Sequence, residues 1–149
     1  MRAIVQRVLR GAVLVDDQPA GQVGQGLVIL VGVTHSDGPA EADRLAAKIA
    51  HLRIFDDPAG KMNRSLLDVR GAALIVSQFT LYASARRGRR PDFLAAAPPA
   101  VAEPLVTHFA RALRSQGVDR VESGVFGAHM IVQIWNNGPV TIILDTAEM

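Results

Sequence analysis

The order of hydrophobic patterns predicts an α+β fold: a curved, mainly antiparallel sheet or barrel-like core covered by two helices. Three observations carry this. Two apolar segments, "GLVILVGV" (26–33) and "AALIVSQFTLYA" (72–83), read as strands buried on both faces. Two other segments repeat apolar residues at helical spacing. Shorter strand-like segments rich in β-branched residues sit at both ends of the chain. The chain has 149 residues, of which 49% are hydrophobic, and this predicts a single domain over 1–149 with a real core.

Taken in order, "AIVQRVLRGAVLV" (3–15) predicts strand, turn, strand, and "DDQPAG" (16–21) predicts a turn. "HSDGPAEADRLAAKIAHLRIF" (35–55) places Leu45, Ile49 and Leu52 on one helical face, with Pro39 at the opening. "DDPAGKMN" (56–63) predicts a loop. "APPAVAEPLVTHFARALRSQG" (97–117) aligns Val101, Leu105, Phe109 and Ala112, with Gly117 as the stop. Pro104 falls inside this pattern and is expected to bend the helix or delay its start. "RVESGVF", "HMIVQIW" and "VTIILD" predict three closing strands.

Several function classes are excluded or weakened. No apolar run reaches the roughly 18 residues of a membrane span, so no membrane partner is expected. Charges interrupt the apolar pattern of "MRAIVQRVLR", which does not read as a secretory signal. The absence of cysteine excludes disulfides and thiol nucleophiles and fits a cytoplasmic location. The four histidines are dispersed, with no ligand spacing, so no metal and no other cofactor is expected.

Net charge is only +2, yet 14 of the 16 basic residues are arginine. Arg86, Arg87, Arg89 and Arg90 surround Gly88 in "ARRGRRPDF". Such a run is either a solvated loop or a phosphate-binding one. Ser77, Gln78 and Thr80 break the apolar run 72–83. Alternation would send Gln78 and Thr80 one way and Ser77 and Phe79 the other. Arg7 is a charge inside a strand pattern, and a buried arginine must be paired or hydrogen-bonded. Finally, Gly138-Pro139 stands directly before "VTIILD", where glycine and proline both weaken a ladder.

Ser77-Gln78-Phe79-Thr80 and Asn136-Asn137-Gly138-Pro139-Val140-Thr141 together resemble the two signatures of the D-aminoacyl-tRNA deacylase family. "VQRV" (5–8), "GLVILVGV", "LRIF" (52–55), "GKMN" (60–63), "RRPDF" and "GVFGAHM" extend the resemblance over nearly the whole chain. Asn137 and His129 depart from the acidic residues the family more often has there.

The resemblance implies hydrolysis of the ester joining a D-amino acid, or glycine, to the 3′ end of tRNA. It implies a homodimer in which a cis Gly138-Pro139 peptide enters the partner subunit's site. A cis X-Pro bond costs only about 0.5–1 kcal/mol over trans, so a fold can impose it. The pair would form a wall of backbone that rejects an L side chain by clash. Ser77, Gln78, Phe79 and Thr80 are the implied catalytic strand end. Backbone N–H groups near Phe79 and Thr80 could form an oxyanion hole. Thr80 could instead be the nucleophile, though a threonine without a base is a poor one. Gly138, Pro139, Arg7 and Met130 are the implied substrate contacts. Arg7 either braces the Gly-Pro backbone or makes an ordinary ion pair. The four clustered arginines would grip the acceptor end of the aminoacyl-tRNA, and no DNA partner is expected. Two rivals remain: an RNA-binding module without catalysis, and a small-molecule esterase using Ser77.

Overall fold

A computed structural model describes residues 1–86 and 88–149. Arg87, one of the four clustered arginines, lies outside the described residues. Eight strands and two α-helices follow in the order β1 (Arg2–Val15), β2 (Gln18–Val23), β3 (Gly26–Gly32), α1 (Pro39–Ala50), β4 (Phe55–Asp56), β5 (Met62–Arg64), β6 (Ala72–Ser77), α2 (Pro99–Ser115), β7 (Val121–Ser123) and β8 (Ile131–Asp145). A 3-10 turn, Phe79–Tyr82, follows β6.

The main sheet runs β2-β1-β3-β6-β7, and β8 joins through β1. It nearly closes on itself, because Arg120, just before β7, donates to the Gln22 carbonyl of β2 at 2.9 Å. Val8, Val13, Val28 and Leu74 fill the inside. The helices cover the outer face over Val5, Ile29, Ile75, Leu45 and Phe109. The expected barrel-like core under two helices is therefore present.

Three details differ from the expectations. First, the sheet is mixed: β1 pairs antiparallel with β2, β3 and β8, but β3–β6 and β6–β7 are parallel. α1 and α2 are the crossovers that parallel neighbours require.

Second, "AIVQRVLRGAVLV" does not turn. β1 is one strand of 14 residues that pairs with β3 through residues 2–8 and with β2 through residues 11–15. Gly11 serves close packing rather than a turn: a Cβ there would stand 2.5 Å from Cγ2 of Val28.

Third, β8 runs straight through Gly138-Pro139, joining the last two predicted strands into one of 15 residues. "DDPAGKMN", expected as a loop, contributes to the short β4–β5 hairpin.

The helices follow their apolar faces. α1 opens at Pro39 and buries Leu45 and Ile49, while Leu52 lies beyond its end and packs on the core. α2 starts at Pro99, ahead of Pro104, so Pro104 does not delay it. Its buried face is Ala102, Leu105, Phe109 and Leu113, and Val101 is exposed instead. The helix ends at Ser115, and Gly117 follows with φ +99°. Among the described residues no helix is long and apolar enough to cross a membrane.

Candidate active site

The parallel strands β3 and β6 end side by side, and their carboxyl ends open into a cavity of about 600 Å³. Ligands of open α/β sheets characteristically sit at this end of parallel strands. The rear wall is Val31, Val33 and Val76. Ser77, Gln78 and Phe79 form one side, and Phe126 and Met130 the other.

A segment after the arginine loop supplies the lid-like edge. It carries Phe93 and Ala97, and the end of β3 pins it down: Ala97 N–H donates to the Val33 carbonyl at 2.9 Å, and the Thr34 hydroxyl donates to the Ala95 carbonyl. His35 Nε2 lies 2.9 Å from the Leu94 carbonyl. Phe93 then meets Phe79 edge-to-face, with centroids 5.0 Å apart. Both rings are substantially exposed, at 39% and 54%, and they form an aromatic rim.

Alternation fails beyond Ser77, since Phe79–Tyr82 coils as a 3-10 turn. Ser77, Gln78 and Phe79 all line the cavity, so the expected split of Ser77 and Phe79 from Gln78 does not occur. Gln78 N–H still pairs with the Val31 carbonyl at 2.8 Å, which locks the strand end. The Gln78 side-chain amide donates to the Thr80 hydroxyl. The first N–H groups of a helical turn have no partner within it, and those of Phe79 and Thr80 stand at that position. Burial pushes the Tyr82 phenol well above its ordinary pKa, so it stays neutral at the turn's far end.

Gly138 and Pro139 do not line this cavity in their own chain. They are exposed, and the peptide between them is cis. On β1, Gln6 pairs with Thr141 and Val8 with Asn136. Residues 137–140 therefore bulge out opposite the single residue Arg7.

Arg7, only 6% exposed, donates to the Asn137 carbonyl at 3.0 Å, the Ile54 carbonyl at 2.8 Å and Asp56 Oδ1 at 3.0 Å. Brace and ion pair, the two alternatives for Arg7, are thus both realised. Asn136 accepts from Val140 N–H at 3.1 Å across the base of the bulge. Gly138 has φ +131°, and a Cβ there would lie 2.8 Å from Val140 Cγ2 and 2.9 Å from Val140 N.

Arg86, Arg89 and Arg90 are exposed and stand outside the cavity. Their loop is clasped by Ser84 and Asp92, which exchange N–H···O bonds of 2.9 Å in both directions.

Met130 lines the cavity, and so do Phe93, Phe126 and His129, which had not been singled out as contacts. The quoted "RRPDF" and "GVFGAHM" contained them, but nothing in their spacing marks them as walls. No group of three or more His, Asp or Glu residues suited to a metal occurs among the described residues.

Fold and site define a small mixed-sheet protein with an apolar, ligand-sized cleft at a polar strand end. A family model described as D-Tyr-tRNA(Tyr) deacylase matches residues 4–145. A D-aminoacyl-tRNA deacylase of Thermomicrobium roseum is 61% identical over 149 residues, covering 100% of this chain and 96% of that one.

Among solved structures, one titled "c-Myc DNA Unwinding Element Binding Protein" superposes with a TM-score of 0.91 at 39% identity, over 97% of this chain and 98% of that one. Another, titled as a probable eukaryotic D-amino acid tRNA deacylase, shares the fold with a TM-score of 0.82 at 21% identity, over 96% and 97% of the two chains. The chain belongs to the D-aminoacyl-tRNA deacylase family, and it is a deacylase enzyme.

Proposed function

We propose that this enzyme hydrolyses the ester of D-aminoacyl-tRNA in the Ser77 cavity, and that it rejects L-aminoacyl groups with the Gly138-Pro139 bulge of a second subunit. The observation that carries this reading is the convergence of Ser77, Gln78, Phe79 and Met130 on one apolar cavity beside the free donors of a helical turn. An adenosine suits apolar walls with an aromatic rim, because every base has a stacking face. The ester carbonyl would lie against the Phe79 and Thr80 N–H groups, which hold the developing oxyanion as water adds to the carbonyl carbon. The tetrahedral intermediate then collapses to the free amino acid, and the 3′ oxygen of the tRNA leaves with the proton that the water gave up. An aminoacyl ester is already activated, so positioning supplies much of what the reaction needs.

Thr80 acts here as an orienting group. Its hydroxyl is engaged by Gln78, and no His, Asp or Glu is among its hydrogen-bond partners. The bulge supports the rejection role because it presents backbone held by Arg7, and backbone atoms cannot step aside by changing rotamer. A D side chain points away from such a wall, and glycine has no side chain to clash, so glycyl-tRNA is accepted too.

The second subunit is supported by β8 itself. This 15-residue strand pairs on only one side, with β1, and exposes Ile131 (49%), Trp135 (40%) and Ile143 (73%). A long, apolar, unprotected edge invites a partner strand or surface, and a second copy brings its own bulge with it. The exposed Arg86, Arg89 and Arg90 suit phosphate contacts, which would give affinity for many tRNAs without sequence preference.

The test compares hydrolysis of matched D- and L-aminoacyl-tRNA, with light scattering for the oligomeric state. Cleavage of the D-ester alone, by a dimer, is expected, and Thr80→Ala should keep part of the rate. A trapped acyl group on Thr80, or labelling of Ser77 by a fluorophosphonate, would replace positioning by a covalent mechanism. A monomer with full D-selectivity would remove the cross-subunit wall. Competition by duplex DNA as strong as by tRNA would favour a general nucleic-acid-binding role.

A further inference from the structure

A second cavity, of about 280 Å³, adjoins the first. The two share Ser77 and Phe126 as walls, so the strand end that lines the proposed reaction site also lines this groove. Their chemistry differs. The first is walled by valines and aromatic rings, whereas the second runs along α2 past Thr107, Arg111 and Arg114, with Ser123 opposite.

Glu103, Thr107, Arg111 and Arg114 are spaced i, i+4, i+8 and i+11, which places them in one stripe along the helix. Val106 and Ala110 supply apolar floor beside it. Arg114 is held in place by donating to the Val121 carbonyl at 2.6 Å. Among the described residues neither Arg111 nor Arg114 is within 4.0 Å of a carboxylate, although Glu103 shares the groove. Two guanidinium groups without acidic partners, next to a reaction site, form a place for an anion.

We propose that this groove holds the sugar-phosphate unit that precedes the esterified terminal nucleoside of the substrate, with Arg111 and Arg114 on its phosphate. The inference rests on the reading that the terminal aminoacyl-adenosine occupies the Ser77 cavity. The chain of a single-stranded RNA end continues from the ribose, so it must leave that cavity through a neighbouring opening. The groove beside Ser77 is basic where the next phosphate needs charge. It is lined by α2 along one part and by Ser123 and Gly124 at the end of β7 along another. Arg111 and Arg114 are thus positioning residues that fix the register of the 3′ end, while the exposed Arg86, Arg89 and Arg90 act on more distant phosphates.

The experiment uses three substrates with the intact enzyme: D-aminoacyl-adenosine, the D-aminoacylated CCA trinucleotide, and D-aminoacyl-tRNA. Arg111→Gln should raise KM for the trinucleotide and the tRNA about tenfold, with kcat within about twofold. The slope of log affinity against log salt should fall by about 0.7, the value for one lost phosphate contact on a single strand. D-Aminoacyl-adenosine carries no phosphate, so its kcat/KM should change less than about twofold. Arg111→Glu should enlarge the loss on the two phosphate-bearing substrates, and Glu103→Gln should lower their KM.

Arg111 is exposed, so unchanged thermal melting separates these effects from misfolding. Equal losses on all three substrates would overturn the assignment, because Arg111 would then act on the reaction cavity. An unchanged KM and salt slope for the trinucleotide would overturn it as well. Failure of the wild-type enzyme to cleave D-aminoacyl-adenosine and the trinucleotide while cleaving an unrelated ester would instead overturn the reading of the Ser77 cavity itself.

Discussion

The two signature regions of this chain are built in opposite ways. The strand end Ser77–Phe79 lines a cavity whose other lining residues come from the same chain. The Gly138-Pro139 bulge projects from β8, is exposed, and lines no part of that cavity. Yet the bulge is tied to a buried guanidinium: Arg7 gives one of its three hydrogen bonds to the Asn137 carbonyl and the other two to Ile54 and Asp56. A chain rarely buries a charge to fix a segment that does nothing. The contrast teaches that a cavity can be shaped by packing alone, while a segment that projects from the sheet is held by a buried charge at its base.

The hardest test of that contrast removes the brace. Arg7→Ala strands two carbonyls and leaves a void, and it should cost about 3 kcal/mol in urea unfolding. Arg7→Lys should recover part of the stability but not the geometry, because an ammonium cannot reproduce a planar fork. If Arg7→Lys restores full D-selectivity, the bulge needs only charge beneath it.

Gly138→Ala should follow in size. Its Cβ would press on Val140 at 2.8–2.9 Å in a backbone conformation that L-residues rarely adopt, at about 1–3 kcal/mol. Deacylation of D-aminoacyl-tRNA should fall more than stability does. Wild-type kinetics in this variant would mean that no ligand approaches the bulge.

Phe79→Ala and Phe93→Ala sharpen the other side of the comparison. Each should raise KM while costing little stability, since the rings lie at the rim. A double-mutant cycle should return about 0.5–1.5 kcal/mol of coupling for the edge-to-face pair. Coupling near zero would show that the segment carrying Phe93 closes on the site only when substrate binds.

The smallest effect concerns pH, away from both regions. Asn63 and backbone donors hold the Asp57 carboxyl below its ordinary pKa, and Ser65 does the same for Asp68. Asp145 is also lowered: burial works against this, but its bond to Arg2 at 2.7 Å prevails. A depressed carboxyl stabilises the fold above its unfolded pKa near 4, and that contribution is lost as pH falls through the lower folded value. Unfolding monitored by circular dichroism should therefore show a modest loss confined below about pH 4, with selectivity at neutral pH untouched. Asp145→Asn should flatten part of that loss.

Much of this was legible in residues. The apolar runs 26–33 and 72–83 marked the central strands, although the second ends at Ser77 and coils on as a 3-10 turn, and Leu45, Ile49, Leu105 and Phe109 marked the helix faces. Three of the five pairings in the main sheet are antiparallel, as expected, while the two parallel ones went unread although the signs were present: continuous apolar strands separated by helices are what parallel crossovers look like. A turn was expected within 3–15, where Gly11 instead serves close packing, and only the position of Val28 decides between those two uses of a glycine in a strand. The cavity's aromatic wall could not be read, since Phe93 and Phe126 reach it from loops whose path is set by tertiary hydrogen bonds such as Ala97 to Val33. The role of Arg7 was legible as a necessity, that of finding partners, while the partners themselves lie 47 to 130 positions away.

The bulge also bears on how such a chain can change over time. In a paired strand, inserting or deleting one residue exchanges its inner and outer faces and ruins the fold. Here Gln6–Thr141 and Val8–Asn136 pin the ladder on either side, and residues 137–140 stand out of it. A length change confined to those four positions would be absorbed without transposing Ile134 or Ile142. A length change there would spare the barrel behind it and fall only on the Gly138-Pro139 geometry, on which the proposed rejection of L-aminoacyl groups depends.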